Sequence, residues 1–344
     1  MKPWPVQSIK LGLATLAFGF AWISYQCVES PLRKSTALRA HPRLVLLAGS
    51  LSIVVVLIAT KEWRDSAREW SRDPTQLPVA AIRHDRGVIY KLKCDETFHQ
   101  TRVKICAFGA TKAPHTVVLL GDSVSGQWFP AIEKVFVSAN WRLLVINKSA
   151  CPMVDAPVFQ EWIGRQYVEC ELWRANAIRF VAELKPDVVL LSSRGEYPLT
   201  AQQWLEGTKR VLRGISTGVD RIGVIQPTPL LPFDPVLCVN RNKWRPKSLH
   251  ASTVCAADAT SPAQDEVKQA LGAAVQAVPS AHLVDLTGDI CPQGRCYARR
   301  DGVLVYRDSR HLTPGFALRL SGPMREGLVR AGLLPLGSSR IGQK

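Results

Sequence analysis

The sequence predicts an α/β fold, a parallel sheet sandwiched by helices and preceded by two transmembrane helices. Three observations carry this. From residue 116 onward, short β-branched apolar runs alternate with stretches of helical period. The first run, Thr116-Val117-Val118-Leu119-Leu120, stops at Gly121-Asp122-Ser123 and gives way to apolar residues at helical spacing, Trp128, Phe129, Ile132, Val135 and Phe136. Ahead of all this, residues 11–28 and 44–60 form two uncharged apolar runs.

Each N-terminal run has about the length needed to cross a hydrocarbon core of about 30 Å. The first lacks the small-residue cleavage site of a secretory signal. Residues 1–60 therefore read as two spans joined by a short loop. That loop carries Arg33, Lys34, Arg39 and Arg43 against Glu29 alone, which favours the cytoplasmic side. The segment after the second span is also rich in arginine (Arg64, Arg68, Arg72), so charge by itself leaves the orientation open.

The cysteines settle it better. Cys27 lies in the membrane region, and the other eight all follow residue 90. Taken in sequential pairs they are Cys94/Cys106, Cys151/Cys170, Cys238/Cys255 and Cys291/Cys296, among roughly a hundred possible connectivities. They show no C-x-x-C pair and no histidine at zinc-ligand spacing, so no metal site is expected. Disulfides require an oxidising compartment, which places the soluble part in the periplasm.

The net charge is +16, of which +6 falls in the first 72 residues. A basic surface suits an anionic membrane or an acidic polymer. No nucleic-acid-binding signature accompanies it, and no nucleic-acid partner is expected.

Residues 61–114 read as a linker and lead-in, broken by Asp73-Pro74 and Leu77-Pro78, before a domain over 115–335. Strands are expected at 116–120, 142–146, 188–191, 222–225 and 281–285. Helices are expected after Gly126, over 170–184, over 202–213, from Ser261-Pro262 to 278, and from Thr313-Pro314 to 331. Residues 227–262 are expected to be a stapled surface loop rather than core. Ligands of such sheets sit at the carboxyl ends of the strands. Ser123, Asn147-Lys148-Ser149 and Ser192-Ser193-Arg194 would all lie on that rim.

A serine hydroxyl at a strand-to-helix turn sits beside the free N–H groups of the helix start. To act as a nucleophile it needs a histidine to take its proton and a carboxylate to orient that histidine. Asp308-Ser309-Arg310-His311 offers such a pair. Without those partners, Gly-Asp-Ser is an ordinary turn. Trp128 and Trp173 read as core residues, Asp122 as a turn residue, Lys148 as a lone cation open to an anionic substrate, and Arg194 as a rim charge or a partner of Glu196.

Several motifs in order resemble a known family. They are Val-Val-Leu-Leu-Gly-Asp-Ser-x-Ser-Gly-Gln-Trp-Phe-Pro-Ala from Val117, Lys148-Ser149-Ala150-Cys151-Pro152, Tyr167-x-x-Cys170-x-x-Trp173-Arg174, and Val305-Tyr306-Arg307-Asp308-x-x-His311-Leu312-Thr313. Together they resemble the SGNH-hydrolase-like domain, in the version fused behind membrane acyltransferase-3 proteins that O-acylate bacterial surface polysaccharides. Tyr25-x-x-Val28-Glu29-x-Pro31-x-Arg33 resembles the closing segment of that membrane domain.

The resemblance implies an SGNH-like (flavodoxin-like) sheet with Ser123 as nucleophile, His311 as general base and Asp308 orienting it. It also implies an acyl-serine intermediate and no bound cofactor. At the oxyanion-donor positions the family usually has a second-strand Gly and a third-strand Asn; by the resemblance, Ser149 and Arg194 are the counterparts here. The position after the nucleophile, often His, is Val124.

The expected activity is O-acyl transfer, most simply acetyl, to an envelope polysaccharide or lipopolysaccharide at the inner membrane. The donor would come through an acyltransferase-3 membrane body that is either separately encoded or missing from a truncated form. The alternatives are an esterase using the same triad and a catalytically silent glycan-binding module.

Overall fold

The computed structural model describes residues 6–36, 40–72, 79–96, 98–138, 140–244, 255–259 and 261–335. The chain divides into two units, Met1–Gln76 and Leu77–Lys344.

In the first unit, α1 (Val6–Ser24) passes into a π-helical turn (Tyr25–Glu29), followed by α2 (Ser30–Lys34) and the long α3 (Pro42–Arg72). Among the described residues one helix is long and apolar enough to cross a membrane, Pro42–Asp65 within α3, with a mean hydropathy of 2.3. The run expected as the first span is shared between α1 and the π turn, so its regular α-helical part stops at Ser24.

The second unit opens with α4 (Val79–His84) and α5 (Val88–Lys91). Its centre is a seven-stranded sheet: β1 (Asp95–Glu96), β2 (Cys106–Gly109), β3 (His115–Gly121), β4 (Trp141–Lys148), β5 (Val188–Ser192), β6 (Ile222–Ile225) and β7 (Ala281–Val284). The spatial order is β4-β3-β5-β6-β7, all parallel. Along the outer edge of β4, β2 pairs antiparallel and β1 parallel. The five strands expected from the sequence are present. The segment expected as a linker supplies the remaining two, which are too short to show a period of their own.

Side chains alternate across the sheet with period two. Val117, Leu119, Leu143, Val145, Val188 and Leu190 face one core, which includes Phe129, Ile132 and Phe136 of α7 (Phe129–Phe136), the helix that follows the short α6 (Ser123–Gln127). Val118, Leu120, Leu144, Ile146, Val189 and Leu191 face the other core, beneath α8 (Val168–Leu184) and α9 (Ala201–Ser216). Helix α8 buries Cys170, Trp173, Ala177 and Val181, a stripe spaced three or four residues apart. Trp128 and Trp173 are both completely buried core residues. Helix α9 begins with a reciprocal capping box between Thr200 and Gln203.

The described part of residues 227–262 is more than a surface loop; residues 245–254 and 260 lie outside the described residues. The described part forms α10 (Pro235–Trp244), and Leu231 and Val236 are buried. Apolar side chains on a short helix gain as much from burial as those on longer elements, so this segment joins the core. After α11 (Pro262–Gln276), capped by Ser261, come β7 and a short α12 (Thr287–Ile290). The terminal helix expected as one is two, α13 (Pro314–Arg319) and α14 (Ser321–Arg330), divided at Leu320; the Thr313 hydroxyl caps α13.

All four sequential disulfides form: Cys94–Cys106, Cys151–Cys170, Cys238–Cys255 and Cys291–Cys296. The first binds the lead-in to edge strand β2, and the second ties the turn after β4 to α8.

Candidate active site

Register fixes the rim. Gly121 at the end of β3 pairs with Asn147 of β4 and Ser192 of β5, and Ser192 pairs with Ile225 of β6. The carboxyl ends of four strands therefore form one row, with Ser123 just above it.

Gly121 is required there for space. A Cβ would lie 2.0 Å from the Ser192 carbonyl oxygen and 2.7 Å from the Ser125 Cβ. Asp122 then caps α6, its Oδ1 accepting from the Val124 N–H at 2.8 Å. Its Oδ2 accepts from the Arg194 N–H at 3.0 Å and the Tyr197 hydroxyl at 2.7 Å. Burial raises the Asp122 carboxyl above its usual range, against the pull of these donors. With both oxygens occupied, Asp122 is a fully buried turn anchor, as its position suggested.

Ser123, Asp308 and His311 come together. The Ser123 Oγ lies 2.9 Å from the His311 Nε2, and the His311 Nδ1 lies 2.8 Å from the Asp308 Oδ2 and 3.0 Å from Oδ1. A carboxylate accepts, so a neutral imidazole here carries its proton on Nδ1 and presents Nε2 to the serine hydroxyl. The three-residue spacing works because the Asp308 Oδ1 also accepts from the backbone N–H groups of Arg310 (3.0 Å) and His311 (2.9 Å), curling the loop around the carboxylate. The Arg307 N–H donates to the His311 carbonyl at 2.9 Å and closes the turn.

Burial pulls the His311 imidazole below its usual range, with Asp308 opposing. Burial would raise Asp308, but hydrogen bonding and charge from His311 prevail and hold it well below the usual carboxylate range.

Several residues without an assigned role hold this arrangement. The buried Arg307 guanidinium places its Nε 3.5 Å from the Asp308 Oδ2. Buried Gln127 accepts from the Leu312 N–H at 2.8 Å and donates to the Thr228 hydroxyl. The Leu231 N–H donates to the Ser309 carbonyl at 2.8 Å. Gln127 was detectable in principle, since it lies one helical turn after Ser123 on the same face. Thr228 and Leu231 had no local signal.

The two expected oxyanion positions are otherwise engaged. The Ser149 N–H donates to the Glu96 carbonyl at 3.4 Å and its hydroxyl to the Asp95 carboxylate, which also accepts from the Asn147 Nδ2 at 2.9 Å. Strand β1, unseen in the sequence, thus turns Ser149 towards the sheet edge. The Arg194 guanidinium stacks 4.1 Å from the Tyr197 ring centroid, and its Nε is buried without a hydrogen-bond partner. Lys148 is no surface cation: it is buried, its Nζ donates to the Gln100 carbonyl at 2.6 Å, and burial pushes its pKa down to about 8.

Comparison with known proteins supplies the rest. No curated protein matches the chain. Solved structures similar to it include the following two. One is a Salmonella ser. Paratyphi A lipopolysaccharide acetyltransferase periplasmic domain, 16% identical, with a TM-score of 0.49 over 64% of this chain and 85% of that one. The other is a Streptococcus pneumonia protein provisionally described as a platelet activating factor, 12% identical, with a TM-score of 0.36 over 79% of this chain and 99% of that one. A family model, the SGNH domain fused to AT3 domains, matches residues 93–326. The chain belongs to the SGNH domain family found fused to AT3 domains.

Proposed function

We propose that this chain is a membrane-anchored, periplasmic serine O-acyltransferase that transfers an acyl group, most simply acetyl, to a cell-envelope polysaccharide or lipopolysaccharide. The observation that carries the reading is the Ser123–His311–Asp308 relay, at 2.9 and 2.8 Å, in a domain family fused to acyltransferase-3 domains.

His311 Nε2 takes the Ser123 proton as Oγ attacks the carbonyl carbon of the donor ester. The tetrahedral intermediate collapses, His311 returns the proton to the departing group, and an acyl-serine remains. A sugar hydroxyl then gives its proton to His311 and attacks the acyl carbon; as the sugar ester forms, His311 passes that proton to the departing Oγ and regenerates the Ser123 hydroxyl. Asp308 holds the Nδ1–H and stabilises the imidazolium formed in each half. The Ser123 N–H, the first of α6, is the oxyanion donor this chain offers. Loss of one such donor typically costs about 10²–10³ in rate. The chain's own residues bring no cofactor into these steps.

The helix Pro42–Asp65 supports the anchoring, with the run at 11–28 as a second span. Four disulfides support a periplasmic domain. The family's fusion to AT3 domains supports an acyltransferase-3 membrane body as the source of the acyl group.

A fluorophosphonate probe on the oxidised, folded chain tests the nucleophile. Labelling of Ser123, lost in Ser123→Ala, is expected; absence of labelling overturns the enzyme and leaves a glycan-binding module. Glycan acetylation in cells separates transfer from hydrolysis. Loss of acetyl groups in Ser123→Ala is expected, and their accumulation would mean an esterase.

A further inference from the structure

A small cleft lies at the carboxyl ends of β5 and β6. Gly195, Glu196, Gln226, Thr228, Asp265 and Lys268 contribute to its walls. Two of these side chains carry buried polar atoms with no hydrogen-bond partner, the Glu196 Oε2 and the Gln226 Nε2. Gln226 is only 5% exposed, and its backbone is fixed by an N–H bond to the Val284 carbonyl at 3.0 Å. A buried polar group left unpaired is costly, and its retention in a cleft indicates a ligand that completes it.

The cleft is coupled to the catalytic groups on both sides. Thr228 accepts from Gln127 of α6, the helix that Ser123 begins, and Gln127 also holds the Leu312 N–H next to His311. Gly195 and Glu196 follow Arg194, whose N–H binds the Asp122 carboxylate.

We propose that this cleft is the acceptor subsite for a neutral, hydroxyl-rich sugar unit, bound by Glu196 and Gln226. This rests on the glycan-acceptor reading above and adds residues and a ligand charge to it. A carboxylate offers only acceptors and an amide nitrogen only donors, whereas a sugar hydroxyl does both. Two neighbouring hydroxyls therefore satisfy both orphans, one donating to Glu196 and the other accepting from Gln226.

The charge of the wall selects against acidic sugars. Its one lysine, Lys268, is paired with Asp285 at 2.7 Å, and the other charged residues of the lining, Glu196 and Asp265, are both acidic. Burial raises the Glu196 carboxyl above its usual range, and Arg310 and Arg194, which lie outside the lining, act against this. A uronate would set a second carboxylate against these groups.

Saturation-transfer NMR on the full chain, in micelles of a detergent without sugar, tests this. The probes are methyl α-D-glucopyranoside, methyl α-D-galactopyranoside, methyl α-D-mannopyranoside and methyl β-D-glucuronide. Saturable binding of at least one neutral glycoside is expected, with the glucuronide weaker by about tenfold or more. Glu196→Ala and Gln226→Ala should each weaken the neutral ligand by about tenfold, since sites built to bind a hydroxyl lose heavily when one partner is missing. Should Gln226→Ala fail to fold, Gln226→Met keeps the volume and reads the same bond. No saturable binding of any neutral glycoside, unchanged affinity in both folded variants, or preference for the glucuronide overturns the proposal. Binding is measured without turnover, so the two readings fail separately. Unlabelled Ser123 with Glu196-dependent sugar binding removes the transferase and keeps the subsite; labelled Ser123 without such binding does the reverse.

Discussion

Ser123 and His311 are 188 positions apart in sequence, and the Ser123 Oγ meets the His311 Nε2 at 2.9 Å. Their meeting depends on two separate constructions. Gly121 and Asp122 fix the serine above the end of β3, while the Asp308 carboxylate, Gln127 and Leu231 fix the loop before α13. The site therefore fails in distinguishable ways when either construction is disturbed.

Removal of the relay should leave the fold intact. Ser123→Ala and His311→Ala are expected to lower 4-nitrophenyl acetate turnover by at least about 10³-fold. Thermal melting of the full chain should shift little. Turnover at the wild-type rate in His311→Ala would remove histidine from the mechanism.

The pH profile follows from the neutral imidazole. Protonated His311 cannot accept the serine proton, so kcat/KM falls as pH drops through its pKa. Burial places that pKa below the ordinary histidine value, so the acid limb should lie below about 6.5. Asp308 opposes burial, and Asp308→Asn should move the limb to still lower pH while the plateau falls by about 10⁴. A limb that moved upward in this variant would contradict the electrostatics described.

Gly121→Ala should disable the site through the backbone. The added methyl would overlap the Ser192 carbonyl, and overpacking of this kind costs about 1–3 kcal/mol or more. Gly218→Ala makes a comparable overlap with the Ala182 carbonyl, away from Ser123. Both should lower the denaturation midpoint, but only Gly121→Ala should also abolish fluorophosphonate labelling of the folded fraction.

Gln127→Ala leaves the buried Leu312 N–H without its acceptor, a loss of about 1–3 kcal/mol. Chemical denaturation should detect it. Turnover should fall while the acid limb keeps its position, because Gln127 holds the loop and does not contact the imidazole nitrogens. A shifted limb would place it in the proton relay.

The Cys151–Cys170 bridge holds the turn after β4 against α8. Replacing both residues by alanine should cost about 2–5 kcal/mol, read as a lower denaturant midpoint of the oxidised chain. An unchanged midpoint would show the turn to be held by other contacts, such as the bonds from Arg174 to the Pro152 and Ala156 carbonyls.

Strong local periodicity accounts for what was legible. Val117 to Leu120 are β-branched or apolar and buried on both faces, so that strand reads plainly; Asp95 and Glu96 form an edge strand whose only signature is the partner it finds in β4. Leu231 and Val236 escaped notice because prolines surround them and their burial comes from distant elements. Ser149 was placed on the rim correctly, but its hydrogen bonds are decided by Asp95 and Glu96, and no local rule connects those residues.

By itself the sequence determined the α/β class and the five principal strands, through local period, and the even set of cysteines; it offered Ser123, Asp308 and His311 as candidates, whose roles came from resemblance to a family. Only the tertiary structure decided the edge strands, the engagement of Ser149, the burial of Lys148 and the cleft with Glu196 and Gln226. Those depend on which distant groups share a hydrogen bond, and a hydrogen bond is fixed by distance in space rather than by separation along the chain.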